Sequence, residues 1–365
     1  MLVLSLFAMG CQPNVVRSEE PEPTPTPSST PHEAQAGNIT IAAVGDIMLG
    51  STSINETFLP PNDGRDMLKD ATPILSAADI AFGNLEGPLI DGGISEKCGV
   101  PKPGQPIRCF AFRSPTRYGK LLKEAGFDVL SVANNHASDF GAEGRASTRR
   151  TLDAAGIKHA GGDRAQYSTA IVEAKGKKIA FVAFAHNAIS PNVNELAVAR
   201  QLVVQAKKKA DIVVVSFHGG AEGESAQNVP KETEIFVGEK RGNLPLFART
   251  VIDAGADLVL GHGPHVLRGM EVYKDRLIAY SMGNFATYGM FNLKGPQGIT
   301  SVFEFELTPE GKFVSGKINP FRLEGRGIPT PDPSGAAIPK IKALSTADFG
   351  AAAPAIAADG TIIPR

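Results

Sequence analysis

The chain has 365 residues, of which 42% are hydrophobic and 21% are charged. That length is sufficient for one large α/β domain or for two small ones. The 37 Lys and Arg residues almost balance the 38 Asp and Glu residues, which gives a formal net charge of −1. Proteins that bind DNA or RNA phosphates usually carry a basic surplus, so this balance argues against a nucleic-acid partner.

The N-terminal segment MLVLSLFAMG is apolar apart from Ser5, and it is shorter than the about 20 residues that a membrane span needs. We therefore predict a signal peptide over residues 1–10. Gly10 directly before Cys11 resembles a bacterial lipoprotein signal, in which the cysteine is lipidated after cleavage. This implies an exported protein, anchored in the membrane at the periplasmic or extracellular face of the cell envelope. The alternatives are a cleaved signal without lipid, or a start codon placed too late.

Residues 11–37 are rich in Pro, Ser and Thr, a composition that cannot bury a core and predicts an extended tether. Two further cysteines, Cys98 and Cys109, lie in a Pro/Gly-rich loop of a chain that is predicted to be exported. We expect them to form a disulfide that stabilises the fold by about 2–3 kcal/mol through loop-closure entropy. Two thiolates alone would leave a metal site half filled, so metal binding by this pair is not expected.

The remaining sequence alternates apolar runs with helix-like segments. The runs that we predict as strands are 38–46, 78–89, 127–141, 210–220 and 256–265. The helix-like segments are 114–126, 143–156, which ends at Gly156, and 243–256. Segments that resemble β-hairpins are 168–185, 266–285 and 299–318.

Strands that alternate with helices predict βαβ units with a largely parallel core, and the hairpins make the sheets mixed. We therefore expect two sheets face to face, with helices outside. The main domain is predicted over residues 38–325. Residues 326–365 form a Pro/Ala-rich C-terminal extension that we expect to wrap the domain.

Polar residues gather where each of the five apolar runs stops. Open α/β sheets bind ligands outside the carboxyl ends of their strands, so these residues are expected to lie together. Carboxylate, imidazole and amide donors without thiolate suit Zn²⁺, Mn²⁺ or Fe, so we predict a divalent metal site with one or two ions. A single histidine at a strand end is more often structural, and the prediction depends on the whole set. The set is Asp46, Glu86, Asn135, His136, His218, His262 and His265.

Five motifs in the same order resemble the CapA family, which is linked to bacterial poly-γ-glutamate capsule synthesis. They are AAVGDIMLG, FGNLEGPL, LSVANNHASDFG, VVSFHGG and GADLVLGHGPHVLRGMEVYKDRLIAYSMGNF, and the resemblance runs from about Ile39 to Phe321. The resemblance implies a metallophosphoesterase-like α/β/β/α sandwich of two mixed sheets flanked by helices.

The resemblance also implies a role for each polar residue. Asp46 would hold the first metal and Glu86 would bridge the two, while His265 would return to the first metal. The second metal would be bound by Asn135, His218 and His262. His136 would act as the general acid, with Asp139 orienting its ring.

Further polar residues are expected around these ligands. Those assigned to a surrounding shell are Asn84, Asn134, Glu222 and Asn284. For Glu222 a solvated loop position is the alternative, and for Asn284 a structural cap of its strand. His186 ends another strand-like run and is expected to border the site, whereas His159 is expected in a loop.

The sequence departs from the metallophosphoesterase pattern near its first metal ligand. The pattern Asp-x-His is Asp46-Ile47-Met48 here, which removes one imidazole. Glu86 also replaces the usual bridging aspartate and is one methylene longer. We therefore predict one firmly held metal with a weak second site.

Two functions follow as hypotheses. The first is an exported, metal-dependent hydrolase that acts on phosphoester or amide bonds of an anionic cell-surface polymer. The second is a tethered, non-catalytic accessory factor that binds or guides poly-γ-glutamate during synthesis and export, with membrane proteins of capsule synthesis as possible partners. Neither a Gly-x-Ser-x-Gly nucleophile elbow nor a P-loop is present in the sequence, which argues against serine hydrolase and P-loop ATPase chemistry.

Overall fold

The computed structural model describes Leu2, residues 37–98 and residues 109–365. The predicted signal peptide, Cys11 and nearly all of the predicted tether lie outside the described residues. All elements below belong to the compact unit Ala34–Arg365. No helix in the described part of the chain is both long enough and apolar enough to cross a membrane.

The described residues of this unit form eighteen strands and six α-helices. The strands are β1 (Ile39–Met48), β2 (Ile80–Leu85), β3 (Val129–Ser131), β4 (Lys158–Ala160), β5 (Thr169–Ala174), β6 (Lys177–Ala185), β7 (Ile212–His218), β8 (Glu234–Phe236), β9 (Glu239–Gly242), β10 (Leu258–His262), β11 (Met270–Tyr273), β12 (Arg276–Ala279), β13 (Asn284–Thr287), β14 (Ile299–Leu307), β15 (Phe313–Glu324), β16 (Ile328–Pro331), β17 (Ala355–Ile356) and β18 (Thr361–Ile363). The helices are α1 (Thr72–Ala77), α2 (Tyr118–Glu124), α3 (Gly141–Ala155), α4 (Leu196–Lys207), α5 (Leu244–Asp253) and α6 (Ala337–Phe349).

The strands form two large mixed sheets and one small hairpin. The 10-stranded sheet has the order β17-β18-β15-β14-β1-β2-β3-β4, with β13 paired to β1 and β16 to β15. The 6-stranded sheet has the order β11-β12-β10-β7-β6-β5, and β8 pairs only with β9. The strands that carry the predicted site residues are parallel neighbours, β1 with β2 and β7 with β10, so their carboxyl ends lie at common edges.

Three apolar clusters explain the layering. The central cluster contains Ile41 and Phe82 of the first sheet and Val214 and Leu260 of the second, so the two sheets pack face to face. A second cluster joins the outer face of the first sheet to α1, α2 and α3, and a third joins the second sheet to α4 and α5. The predicted α/β/β/α sandwich of two mixed sheets is confirmed.

Local features of the sequence explain where several elements stop. Gly156 ends α3 with a left-handed φ of 73°, which glycine adopts without steric cost. The three predicted hairpins are confirmed as the antiparallel pairs β5–β6, β11–β12 and β14–β15. The prediction that His159 lies in a loop is wrong, because this residue pairs with Leu130 within β4.

The C-terminal residues extend the first sheet. Strand β16 pairs with β15, and β17 and β18 form the edge of the sheet beyond β15. Ile341 of α6, Ile356 and Ile362 are buried in the central cluster between the sheets. This segment therefore supplies part of the apolar core.

The predicted disulfide is present between Cys98 and Cys109, with Cα atoms 5.7 Å apart. Residues next to the two cysteines contact Asp139. The Lys97 ammonium lies 3.5 Å from Oδ1 of Asp139, and the backbone N–H of Phe112 donates to Oδ2 at 2.8 Å. The residues that flank the disulfide therefore contact both carboxylate oxygens of Asp139, a predicted site residue.

Candidate metal centre

Four of the predicted site residues stand at or just after the carboxyl ends of parallel strands. Asp46 lies near the end of β1, and Glu86 directly follows β2. His218 and His262 are the last residues of β7 and β10 and are register partners in the second sheet. The sheet topology alone therefore brings carboxylates from one sheet toward imidazoles from the other.

Asp46, Glu86 and His265 form a buried cluster whose ligand atoms all lie within 4.8 Å of one another. Nδ1 of His265 lies 3.0 Å from Oδ2 of Asp46, and its Nε2 lies 3.7 Å from Oε1 of Glu86. Two carboxylates and an imidazole at these separations are a donor set that suits a divalent first-row cation.

The segment 261–265, Gly-His-Gly-Pro-His, positions two imidazoles against one carboxylate. Nδ1 of His262 lies 3.4 Å from Oδ1 of Asp46, while His265 approaches Oδ2. Gly263 has φ 110°, and a Cβ atom there would lie 2.8 Å from the carbonyl oxygen of Gly219. His265 itself has a left-handed φ of 58°. The close approach of the two strand exits thus requires glycine at position 263 and turns His265 back toward Asp46.

Several buried nitrogen and oxygen atoms of the site have no hydrogen-bond partner among the residues that the structure describes. They are Oε1 and Oε2 of Glu86, both ring nitrogens of His262, Nε2 of His218 and Oδ1 of Asn135. Buried polar atoms are normally paired, and unpaired ones point to a bound ion or water. The residues present therefore fit a divalent metal ion.

Burial and neighbouring charges shift the pKa values of the three clustered residues in different directions. Burial raises the pKa of Glu86 well above its usual range. Burial lowers the pKa of His265, but the charge of Glu86, the hydrogen bond to Asp46 and the charges of Asp46 and Glu222 outweigh it and raise the pKa to about 10. Burial favours protonation of Asp46, yet the adjacent His262 and His265 rings lower its pKa.

His136 and Asp139 form a buried pair beside the cluster. Nδ1 of His136 lies 2.7 Å from Oδ2 of Asp139, and its Nε2 lies 3.9 Å from Oε1 of Glu86. The ring of Phe112 stacks on the imidazole with centroids 3.9 Å apart. Burial lowers the pKa of His136, and the charge of Asp139 opposes this shift. Asp139 and Phe112 thus hold the imidazole in place, with its Nε2 directed toward the cluster.

Two asparagines connect the cluster to this pair. Nδ2 of Asn84 donates to Oδ1 of Asp46 at 2.9 Å, and Oδ1 of Asn84 accepts from Nδ2 of Asn134 at 3.2 Å. Oδ1 of Asn134 accepts from the backbone N–H of His136 at 3.1 Å. Asp46 and His136 are therefore held in one hydrogen-bonded network.

The other predicted residues lie at varying distances from the cluster. Nδ1 of His218 lies 3.4 Å from Nδ2 of Asn84, and burial lowers its pKa well below the usual range. Oε2 of Glu222 lies 3.9 Å from Nε2 of His265. Asn284 is the register partner of Asp46, and its Nδ2 donates to the carbonyl of Gln297 at 3.1 Å. Asn135 is half-buried, and its Oδ1 has no hydrogen-bond partner among the described residues.

Comparison with known proteins agrees with this architecture. Residues 40–288, more than half of the chain, match the family described as bacterial capsule synthesis protein PGA_cap. The chain is 31% identical over 265 residues to the capsule biosynthesis protein CapA of Bacillus anthracis, covering 68% of this chain and 59% of that protein. It is 30% identical over 262 residues to the PGA biosynthesis protein CapA of Bacillus subtilis, covering 68% and 63%.

The chain belongs to the bacterial capsule synthesis family. It spans about six-tenths of the length of these two relatives, 59% and 63%. The structure is also similar to that of a phosphatase from Mycoplasma pneumoniae, with a TM-score of 0.48 and 14% identity over 82% of this chain and 96% of that one. A likeness at that level carries no information about activity.

Met48 distinguishes this member of the capsule synthesis family from the metallophosphoesterase pattern. Ile47 and Leu49 both belong to the helix-side cluster of the first sheet. Because side chains alternate along a strand, Met48 points away from that cluster. Met48 is fully buried.

The sequence analysis missed a second charged cluster beside the metal centre. Arg241 of β9 is buried, donates through Nη1 to Oε1 of Glu222 at 2.8 Å, and pairs through Nη2 with Oε2 of Glu239 at 2.8 Å. His186, which was expected to border the site, lies with Nε2 3.3 Å from the same Glu239 oxygen. The local sequence Glu-Lys-Arg-Gly carries no motif, and no local signal identifies this cluster.

Proposed function

We propose that the protein is a metal-dependent hydrolase that acts on an anionic polymer in poly-γ-glutamate capsule synthesis. The observation that carries the proposal is the buried Asp46, Glu86 and His265 cluster, with Nε2 of His136 3.9 Å from Glu86. The names of the two Bacillus relatives support the link to the capsule polymer. The bond cleaved is a phosphoester or an amide.

Asp46, Glu86 and His265 would hold a divalent ion, Mn²⁺, Zn²⁺ or Fe, and His262 and His218 would complete its surroundings. Such an ion polarises the oxygen of the scissile group and lowers the pKa of bound water. Asn84 keeps the Asp46 carboxylate in position through its 2.9 Å hydrogen bond. The buried site excludes most water, which strengthens each electrostatic contact.

His136 would transfer the proton to the leaving group from Nε2. Its Nδ1 faces Asp139 at 2.7 Å, which leaves Nε2 as the reactive atom. Burial lowers the pKa of this ring, and the charge of Asp139 raises it. An anionic substrate adds to the effect of Asp139 and helps to retain the proton until the bond breaks.

Turnover of p-nitrophenyl phosphate and of poly-γ-glutamate by purified protein with Mn²⁺ or Zn²⁺ tests the proposal. We expect metal-dependent release of product from one of them and its loss in His136→Ala. The alternative is a non-catalytic factor that binds or guides the polymer, which the methionine at position 48 favours. Inactivity towards both substrates, with unchanged polymer binding by His136→Ala, would support that alternative.

Met48 also bears on the number of metal ions. We propose one firmly held ion per chain, because the thioether replaces an imidazole beside Asp46. Elemental analysis of the purified protein should give closer to one ion than two, and Met48→His should raise this ratio. Two firmly held ions in the wild-type protein would contradict the proposal.

The membrane attachment remains a separate proposal. Cys11 would carry a lipid that holds the protein at the outer side of the membrane, near membrane proteins of capsule synthesis. Detergent partitioning of the full chain tests this. Wild-type protein should enter the detergent phase and Cys11→Ser the aqueous phase, whereas an aqueous wild type would refute the anchor.

A further inference from the structure

Arg241 is a buried cation whose hydrogen-bonding capacity is not filled. Its side chain is 4% exposed, and its Nε is buried without a hydrogen-bond partner in the described part of the chain. Nη1 is held by Glu222, and Nη2 by Glu239. A buried guanidinium with an unpaired N–H is costly unless a further acceptor arrives.

Glu239 is the exposed member of this cluster. Its side chain is 55% exposed, and its Oε2 lies 2.8 Å from Nη2 of Arg241 and 3.3 Å from Nε2 of His186. His186 is buried, and its Nε2 also lacks a hydrogen-bond partner among the described residues. A solvent-accessible carboxylate thus rests on two buried nitrogen groups.

A second buried arginine shows what a completed structural pair looks like in this protein. Arg268 binds Glu234 with both terminal nitrogens, at 2.9 and 2.7 Å, and its Nε donates to the carbonyl of Ala226 at 2.7 Å. The Glu234 side chain is 5% exposed. All three guanidinium nitrogens of Arg268 therefore have hydrogen-bond partners, and its carboxylate partner is buried. Arg241 instead depends on an exposed carboxylate.

The Arg241 cluster borders the candidate metal centre. Glu222 lies between them, with Oε1 on Arg241 at 2.8 Å and Oε2 3.9 Å from Nε2 of His265. On the other side, Nδ1 of His186 lies 3.3 Å from the carbonyl oxygen of His218, and the two rings are 6.0 Å apart. An anionic group bound at Arg241 would thus lie next to the metal ligands.

We propose that Arg241 and His186 form a subsite that binds a carboxylate of the substrate, and that Glu239 occupies this subsite until the substrate displaces it. The inference rests on the proposed function for the identity of the neighbouring site, and it adds a subsite that recognises the repeated carboxylates of the polymer. The planar fork of arginine matches a carboxylate, and Glu239 shows that such a group fits. The Glu239 side chain is 55% exposed, so its carboxylate can move into solvent at little cost, while a substrate carboxylate keeps the buried Arg241 paired.

The test measures binding of a γ-linked glutamate pentamer to metal-loaded full-length protein by calorimetry. Glu239→Gln removes the competing carboxylate and should lower the Kd about two- to fivefold. Arg241→Lys keeps the charge but loses the fork and should raise the Kd about tenfold. Glu232→Gln makes the same charge change at an exposed position just before β8 and should leave the Kd unchanged.

Several results would overturn the inference. An unchanged or higher Kd for Glu239→Gln would do so, and this exposed substitution decides the question even if Arg241→Lys fails to fold. Inorganic phosphate that competes with the pentamer at lower concentration than glutarate would show that the subsite is not built for carboxylate. An equal fall in Kd for Glu232→Gln would show that the effect of Glu239→Gln comes from the net charge of the protein and not from the subsite.

The outcome is separable from that of the proposed hydrolase activity, because binding is measured without turnover. A tighter Kd for Glu239→Gln in a protein that cleaves nothing would support the subsite and refute the hydrolase. Turnover with wild-type KM and Kd in both Glu239→Gln and Arg241→Lys would support the hydrolase and refute the subsite.

Discussion

Nε2 of His265 lies 3.7 Å from Oε1 of Glu86, while Nδ1 of the same ring lies 3.0 Å from Asp46. One imidazole therefore stands between two buried carboxylates that come from neighbouring parallel strands. Neither oxygen of Glu86 has a hydrogen-bond partner in the described part of the protein. The electrostatics of the site depend on what neutralises that carboxylate, and this leads to the first two predictions.

Glu86→Gln should have opposite effects on metal binding and on stability. It removes a charged ligand, so the affinity for Mn²⁺ or Zn²⁺ should fall at least about tenfold. In the metal-free protein it removes a buried carboxylate without hydrogen bonds, so the free energy of unfolding should be unchanged or about 1 kcal/mol higher. Calorimetric titration and urea unfolding measure the two quantities. A variant that loses stability without metal would show that Glu86 has a structural partner.

Metal binding should release protons near neutral pH. The pKa of His265 is raised to about 10, so its ring is protonated in the metal-free protein at pH 7 and must lose that proton to bind a metal. The apparent affinity should therefore rise with pH and fall as the pH is lowered. Titrations in two buffers with different ionisation enthalpies should show release of at least one proton per ion, and identical heats in both buffers would contradict this.

Asp139→Asn should slow turnover while leaving substrate affinity nearly intact. Asp139 contacts Nδ1 of His136 at 2.7 Å and touches no clustered metal ligand directly, so its loss disturbs the proton donor. We expect kcat to fall by about 10²–10⁴-fold with little change in KM. Asp153→Asn removes the 3.3 Å partner of His159, a second His–Asp pair, and serves as the control. Equal losses in both variants would argue against a specific role.

Loss of the disulfide should affect both stability and turnover. Replacing Cys98 and Cys109 with serine should lower the free energy of unfolding by about 2–3 kcal/mol. Turnover should also fall, because the same segment places Lys97 and Phe112 against Asp139. Reductant should reproduce both effects in the wild-type protein and leave the double variant unchanged. A wild-type turnover rate in the double variant would show that the site does not depend on the disulfide.

The sheet architecture and the convergence of Asp46, Glu86 and His265 could be predicted because both are encoded locally. The apolar run that ends at His262 signals a buried parallel strand, and parallel strands deliver their last residues to a common edge. The spacing from His262 to His265, with glycine between them, signals a tight turn. The pairing of Cys98 with Cys109 followed from their isolation in one Pro/Gly-rich loop.

The surroundings of the ligands could not be predicted in the same way. Phe112, which follows Cys109, stacks on His136. Arg241 lies in the hairpin β8–β9 and contacts Glu222. Such contacts depend on loop conformations, which no periodic pattern encodes. The edge strand that contains His159 has only three residues, Lys158–Ala160, and glycines stand on both sides of it. Such a short strand between glycines has the sequence pattern of a loop.

The most direct test of the metal centre is anomalous diffraction from a crystal of the protein soaked in Mn²⁺. The account predicts a strong peak between the carboxylates of Asp46 and Glu86 and the ring of His265, with little or no second peak on the side of Met48. Absence of a peak at these three residues, in a crystal whose protein binds Mn²⁺ in solution, would contradict the account.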